Sequence, residues 1–427
     1  MMPEKLIKSS LTIYMLVIIS IFFIYAILIY ISPDGLIYDE VYYLKIAEDF
    51  LVSKLSYEFI ENIYAPTGIL YALVHYAFYP LTQYQVPNVR FVNLFLLLSS
   101  FILTFLSFKI VHKQDNSFAI LNSIPWLVLP TTGVISGMAL TELPAITLFL
   151  ASILLLGFAY NQGKWKSTKS SLLCLGTSGI LFGLSTWGRQ NLIVTLVATI
   201  FLFLPINRKN IIFSLIYALP SLLIFFYPIS IWHGLVPPSV EFVEKGYRFS
   251  SFILSLGYLG IFSIIIFPRF ILYKPRKTIL NLLILSSTLV LAFSDLRYAP
   301  SQFLLERLFG SFITNFVSYI FGVVLVFISL LLLYSIYLQA KNLKEQNNSD
   351  LVIFIYYTVS LLFICISNIK ITHQFSSRYI TLALPFLIYI LGFNNFYTRV
   401  NFVFCRFSLS LMLSILFLLN YYEFLPF

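Results

Sequence analysis

Charge is scarce in this sequence. Asp, Glu, Lys and Arg together make up 10% of its 427 residues, where a soluble globular protein carries roughly a quarter. Hydrophobic residues make up 59% and the mean hydropathy is +0.91. A length that would suggest two or three domains in water is therefore read against another solvent, the bilayer. Cysteine is scarce as well. Cys174, Cys365 and Cys405 lie in or beside apolar runs, without the spacing of a disulfide framework or a metal site, and read as packing residues. There is no long linker, internal repeat or low-complexity tract, so residues 1–427 read as a single polytopic domain. An ER-retention tail is absent. The only N-x-[ST] match, Asn347-Asn348-Ser349, falls in a connection assigned below to the cytoplasm. These two absences favour the plasma membrane of a prokaryote, with the ER membrane as the alternative.

What the chain has is apolar runs of spanning length. The first, "LTIYMLVIISIFFIYAILIYI" (11–31), follows Lys5 and Lys8 and is too long for a signal-peptide core, so it reads as a retained span. Further runs at 88–108, 117–136, 143–160, 171–187, 190–206, 210–231, 250–268, 278–293, 314–338, 351–367, 379–394 and 406–421 bring the expected total to about thirteen. The fold class is thus an all-α integral membrane bundle. The connections alternate. "FKIVHKQD", "NQGKWKSTK", "NRKN", "PRFILYKPRK", "AKNLKEQ" and "TRVNFVFCR" are short and basic, whereas "GMALTELP", "WGRQN", "WHGLVPPSVEFVEKGYRFS", "SDLRYAPSQFLLERL" and "NIKITHQFSSRY" are not. The positive-inside rule places the first set and the N-terminus in the cytoplasm. The net charge of +10 is then a mark of topology and not of a nucleic-acid partner. Residues 63–81, interrupted by Pro66, Gly68 and His75, read as lying along the outer surface, inside a first extracytoplasmic loop of about 32–87.

That topology gathers ionisable groups on the outer face. Asp39 and Glu40 end the first span and open an interfacial helix over 40–55, where Asp39 could simply be the N-cap. Glu142 opens the fourth span, Arg189 occupies a short hinge, and Arg90 and Arg378 open the second and twelfth. Ionisable groups near membrane depth are costly and usually line a cavity or a functional path. Each has a plainer reading: Arg90 and Arg378 as snorkelling anchors, Glu142 and Arg189 as a structural ion pair, and Tyr42, Tyr43, Tyr379 and Trp187 as interfacial aromatics. His75, His233 and His373 fall in separate segments and make a weak case for a metal cluster.

Carboxylates and arginines together at an outer membrane surface suit sugar transfer from a polyprenyl-phosphate donor. The acceptor hydroxyl needs a general base, for which Asp39 is the candidate. The lipid-phosphate leaving group needs its charge met by Arg or by a divalent metal, Mg or Mn, for which Asp39, Glu40 and Glu142 are the candidate ligands. The lack of a Gly-rich phosphate loop speaks against a nucleotide-sugar donor. The rival class is a transporter or lipid-linked-sugar flippase, which predicts ionisable groups deep within spans and paired half-sequence repeats. Neither is visible.

"YDEVYY", "APTGILY", "VRFVNL", "TELPAITLF", "WGRQNLI" and "SSRYITLALPFLIYIL" resemble, in order, stretches of the dolichyl-phosphate-glucose α-1,2-glucosyltransferase family, within the GT-C superfamily of polyprenyl-phosphate-sugar-dependent glycosyltransferases. The resemblance implies a hexosyltransferase with a membrane-anchored donor and a glycan, lipid or protein acceptor. It assigns Asp39 as the catalytic first-loop acid and Glu40 as its neighbour. Arg189, Gln190 and Asn191 match an Arg-Gln turn, and Arg378 with Tyr379 matches a late pair facing the donor phosphate. Arg90 is a further phosphate candidate, and Glu142 and Tyr43 are candidate substrate contacts. The chain departs from the family at Tyr43, where His is usual, and at Thr67, where a second Pro is usual. "LSYEFIENIYAP" also lacks the expected Trp-Asp-Pro element. The departures leave the acceptor open.

Overall fold

A computed structural model of the chain describes residues 4–160, 165, 168–240, 246–272, 274–297, 302–346, 350–371, 377–393 and 400–424. All regular structure among them is helical. Among the described residues seven helices are long and apolar enough to cross a membrane, or eight if one bent pair is a single span. The chain is a multi-pass integral membrane protein.

By Cα packing it divides into two compact units, residues 1–243 with 407–427, and residues 244–406. The first contains α1 (Glu4–Tyr30), α2 (Glu40–Ser53), α3 (Tyr57–Asn62), α4 (Gly68–Thr82), α5 (Asn88–Ile110), α6 (Asn116–Val128), α7 (Pro130–Gly137), α8 (Glu142–Ala159), α9 (Lys169–Thr186), α10 (Val194–Ala198) and α11 (Arg208–Trp232). In the second, α12 (Phe249–Ile266), α13 (Pro268–Leu272), α14 (Arg276–Ala292), α15 (Gln302–Glu345), α16 (Leu351–Ser367) and α17 (Leu384–Gly392) are followed by the start of α18 (Val400–Tyr421).

Every run expected to span is helical where described, yet several miss spanning form for identifiable reasons. The run at 117–136 is α6 and α7, bent by 70° where Pro130 follows Leu129. A residue before proline is pushed out of the helical region, and Leu129 sits at φ −61°, ψ 143°. A break at membrane depth needs new partners for its carbonyls. Tyr25 Oη donates to Leu127 O at 2.9 Å, Ser410 Oγ to Val128 O at 2.8 Å and Ser414 Oγ to Leu129 O at 3.0 Å. The run at 190–206 is broken into a 3-10 turn (Gln190–Ile193), α10 and a second 3-10 turn (Thr199–Phe203). In α9, Gly176, Gly179 and Gly183 with interleaved Ser and Thr dilute the apolar character. They allow close approach instead, because small residues let helix backbones meet in a bilayer. A Cβ on Gly179 would collide with the Tyr217 carbonyl, and Ser221 Oγ donates to Gly179 O at 3.0 Å. The expected count of thirteen is thus not confirmed: among the described residues seven or eight helices have spanning form, with shorter or broken apolar segments beside them.

Residues 63–81 become the end of a short linker and α4, whose 15 residues give about 22 Å of helix, short of the roughly 30 Å hydrocarbon core. In the second unit, α12 packs on α15, with Ser329 Oγ donating to Ile253 O at 3.0 Å. Arg378 and Tyr379 lie in a 3-10 stretch, Ser377–Ala383, leading into α17.

Candidate active site

The first unit brings two Arg–Glu pairs into being, and they differ in kind. Arg90, near the start of α5, and Glu40, the first residue of α2, are both fully buried. Arg90 Nε donates to Glu40 Oε1 at 2.9 Å and Nη2 to Glu40 Oε2 at 2.7 Å. Nη1 donates to Ser32 Oγ at 2.7 Å and to Pro33 O at 2.8 Å, and Nη2 also to Gly35 O at 2.9 Å. Those bonds use all of the five N–H groups that a guanidinium offers. Glu40 is equally spent: Oε2 also accepts from Ile37 N at 3.0 Å, and Oε1 from Ala139 N at 2.7 Å. The Tyr422 ring lies 5.4 Å from the guanidinium carbon. This bidentate pair fastens the exit of α1, the start of α2 and the approach to α8 into one block.

Asp39 stands immediately before it. It occupies the N-cap position of α2, but its carboxylate makes no capping hydrogen bond to the helix; the reach back to a backbone N–H is made by Glu40 instead. Asp39 is half-buried, neither sealed in like Glu40 nor fully in solvent.

The second pair is Arg189 with Glu142. Glu142 opens α8, three residues beyond the Ala139 amide that Glu40 holds, so the sealed pair sets the position of the second one. Arg189 follows α9 in extended conformation, at φ −150° and ψ 95°. Its Nη2 donates to Glu142 Oε1. The arginine side chain keeps 16% exposure and the glutamate 3%. Arg189 Nε is buried and, among the described residues, has no hydrogen-bond partner. Beside it, Gly188 permits a close approach: a Cβ there would stand 2.8 Å from Leu70 in α4 and 2.9 Å from Ala145 in α8. Gln190 and Asn191 are half-buried in the following turn, with Gln190 Nε2 donating to Leu235 O at 2.9 Å.

The first loop is a helical platform. Ser56 caps α3 by accepting from Phe59 N at 3.1 Å. Trp232 Nε1 donates to Ile60 O at 2.6 Å and Ser239 Oγ to Ile63 O at 2.8 Å, tying the platform to the end of α11. Tyr43, expected among interfacial aromatics or substrate contacts, is instead buried, its hydroxyl 3.1 Å from Thr67 Oγ1. The two positions at which the sequence departs from the family it resembles are therefore hydrogen-bonded to each other. Tyr43 packs on Tyr71, and Tyr71 stacks on His75 at 4.0 Å. His75 is fully buried, neither ring nitrogen has a partner among the described residues, and burial pushes its pKa down to about 3.

Sequence reading missed Thr67, Tyr71 and Ser32 as members of this assembly. Only Thr67 left a signal, as a residue out of place in a familiar motif. Arg378 and Tyr379 are half-buried and belong to the second unit. His373 lies outside the described residues. Among the described residues no three His, Cys, Asp or Glu side chains come together in a way that could hold a metal ion. The candidate ligands Asp39, Glu40 and Glu142 do not come together as one, and Glu40 has no oxygen lone pair left to give a cation.

No protein-family model matches the chain, and no curated protein matches it. Its fold is similar to that in the crystal structure of ArnT from Cupriavidus metallidurans in the apo state, with a TM-score of 0.41 and 11% identity over 96% of this chain and 78% of that one. A likeness of that size assigns neither a family nor an activity.

Proposed function

We propose that the chain is a membrane glycosyltransferase of GT-C type that moves a hexose from a polyprenyl-phosphate carrier to an acceptor hydroxyl at the extracytoplasmic face of a prokaryotic plasma membrane. The observation that carries this reading is the contrast between the two Arg–Glu pairs. Arg90–Glu40 is sealed and has no capacity left for a ligand. Arg189–Glu142 is partly open, and its guanidinium has donors to spare. A half-buried arginine with unspent N–H groups suits an anionic group, since its planar fork matches phosphate oxygens. Asp39, half-buried and placed by its neighbour Glu40, suits a general base.

In this mechanism the acceptor oxygen attacks the anomeric carbon while Asp39 takes the hydroxyl proton. The bond from that carbon to the phosphate oxygen breaks, and its electron pair leaves with the polyprenyl phosphate. Arg189 meets the charge that develops there, with Glu142 fixing the guanidinium plane. By the family resemblance, Arg378 and Tyr379 are further candidates for a contact to the donor phosphate. Glu40 and Arg90 are positioning residues, and Gln190, Asn191 and Tyr43 shape the acceptor side. No step runs through a metal. Direct displacement inverts configuration at the anomeric carbon.

The test is consumption of polyprenyl-phosphate-hexose donors by the purified protein in lipid, compared with Asp39→Asn. Transfer or slow donor hydrolysis by the native chain should vanish in a folded Asp39→Asn protein. Equal consumption by both would remove Asp39 from the chemistry. Movement of the intact donor between leaflets without cleavage would make the protein a flippase.

A further inference from the structure

A groove of about 380 Å³ opens between residues 196–206 and the first half of α11, and none of the candidate site residues lines it. Ile200 and Phe203 line one wall, Ile211, Ser214 and Ala218 the other, and Asn210 stands at its basic end. Around it Val197, Ile200, Ile206, Ile211 and Leu215 are between 46% and 76% exposed. Apolar exposure of that extent beside the spanning helix α11 suits a lipid surround. The groove exists because residues 190–203 run as three short helical pieces that cannot lie flush along a continuous helix.

Its basic end is rigidly built. Asn207 caps α11 by accepting from Asn210 N at 2.9 Å, and Asn210 Nδ2 donates to Pro205 O at 2.8 Å. Trp165 stacks on Phe203 at 4.6 Å with ring planes 6° apart, and its carbonyl accepts from Lys209 Nζ at 2.9 Å. Arg208 is exposed and stands three residues before Ile211, on the same face of α11 as that lining residue. Gly179 meets Tyr217 and Gly183 meets Ser221, so α9 and α11 run parallel in a fixed register that sets Lys169 level with the start of α11. Between Glu142 and Glu241 the sequence holds no carboxylate side chain. The cations here sit in the first turns of two helices, at the positive ends of their macrodipoles, so the local field is strongly positive.

We infer that this groove is a binding site for an anionic membrane phospholipid, with one acyl chain along Ile200, Ile211 and Ala218 and its phosphate against Arg208. The charge complementarity selects the occupant: a neutral lipid would fill the apolar walls but leave the basic end unmet.

The test is native mass spectrometry of the detergent-purified full chain, titrated with phosphatidylglycerol or phosphatidylcholine of identical acyl chains. The native protein should retain one phosphatidylglycerol in preference to phosphatidylcholine. Arg208→Gln, at an exposed position, should weaken phosphatidylglycerol by about five-fold and leave phosphatidylcholine unchanged. Ser214→Trp, which fills the groove, should weaken both, with the thermal transition in detergent reporting that it is folded. If Ser214→Trp does not fold, the Arg208→Gln comparison decides alone. Equal retention of the two lipids, or an Arg208→Gln protein with unchanged preference, would overturn the inference. So would competition by inorganic phosphate at the same concentration, which would assign the basic end to a soluble anion.

Discussion

Single side chains in this protein are legible by how fully their hydrogen-bonding capacity is spent. Arg90 and Arg189 are each paired with one glutamate, and both stand at the end of an apolar helix. Truncating them should nonetheless have opposite signatures. Arg90→Ala leaves Glu40 buried and uncompensated, and is expected to cost about 3–5 kcal/mol of stability. Arg90→Lys should rescue little, because an ammonium cannot reproduce the five-fold fork. Thermal unfolding in detergent measures both. Arg189→Ala, on a partly exposed side chain with one bond made, should keep most of its stability while donor turnover falls about a hundredfold. If both variants lose stability alike, Arg189 is a structural anchor. His75 supplies a third test. Its folded pKa of about 3 lies below the ordinary value of 6.5, so between these values the unfolded chain binds the extra proton. Stability should therefore be complete above about pH 6.5 and fall with decreasing pH, by up to about 1.4 kcal/mol per unit. His75→Phe should flatten that part of the profile in unfolding measured from pH 5 to 7.

At the scale of elements, the breaks are as specifically built as the helices. The bend between α6 and α7 is held by Ser414, whose Oγ donates to Leu129 O at 3.0 Å and accepts from Gly133 N at 2.8 Å. A Cβ on Gly133 would lie 2.6 Å from the Ser414 carbonyl oxygen, so Gly133→Ala forces the C-terminal segment away from the bend. It should cost about 1–3 kcal/mol, and Ser414→Ala about the same through unmet polar groups in an apolar setting. Unfolding of the two single variants and the double variant checks this. The double should cost less than the sum, because both remove one junction. The Gly179 contact follows the same logic between α9 and α11: hydropathy is given up for close approach of backbones.

At the scale of the whole molecule, the distribution of charge makes a prediction about sidedness. Basic connections alternate with connections that are not basic, and the positive-inside rule predicts from this an N-terminus inside and Asp39 outside. A cysteine introduced at Tyr42, an exposed position on α2, should react with an impermeant thiol reagent in intact cells. Reaction only after permeabilisation would place the platform, and Asp39 with it, in the cytoplasm. This measurement is independent of any assay of sugar transfer, so topology and chemistry can fail separately.

The solvent and the helical class are legible in the order of residues, and so are the candidate segments, because hydropathy and helix-terminal residues are local properties. "YDE", "TEL" and "WGRQN" announce themselves as charges at the ends of apolar runs, where each charge is costly enough to need a reason. Which charged pair is sealed and which is left partly open depends on contacts between remote segments. Glu40 and Arg90 are fifty residues apart, and nothing local distinguishes them from Glu142 and Arg189. One pair is closed by carbonyls of Pro33 and Gly35 and the amide of Ala139, the other is left partly open. The same holds for the spans. Apolar length sets how many segments can be helical, but whether a segment continues through Leu129 and Pro130 or bends there depends on Tyr25, Ser410 and Ser414. Those side chains, remote in sequence, supply the hydrogen bonds that a broken helix in a bilayer cannot take from water.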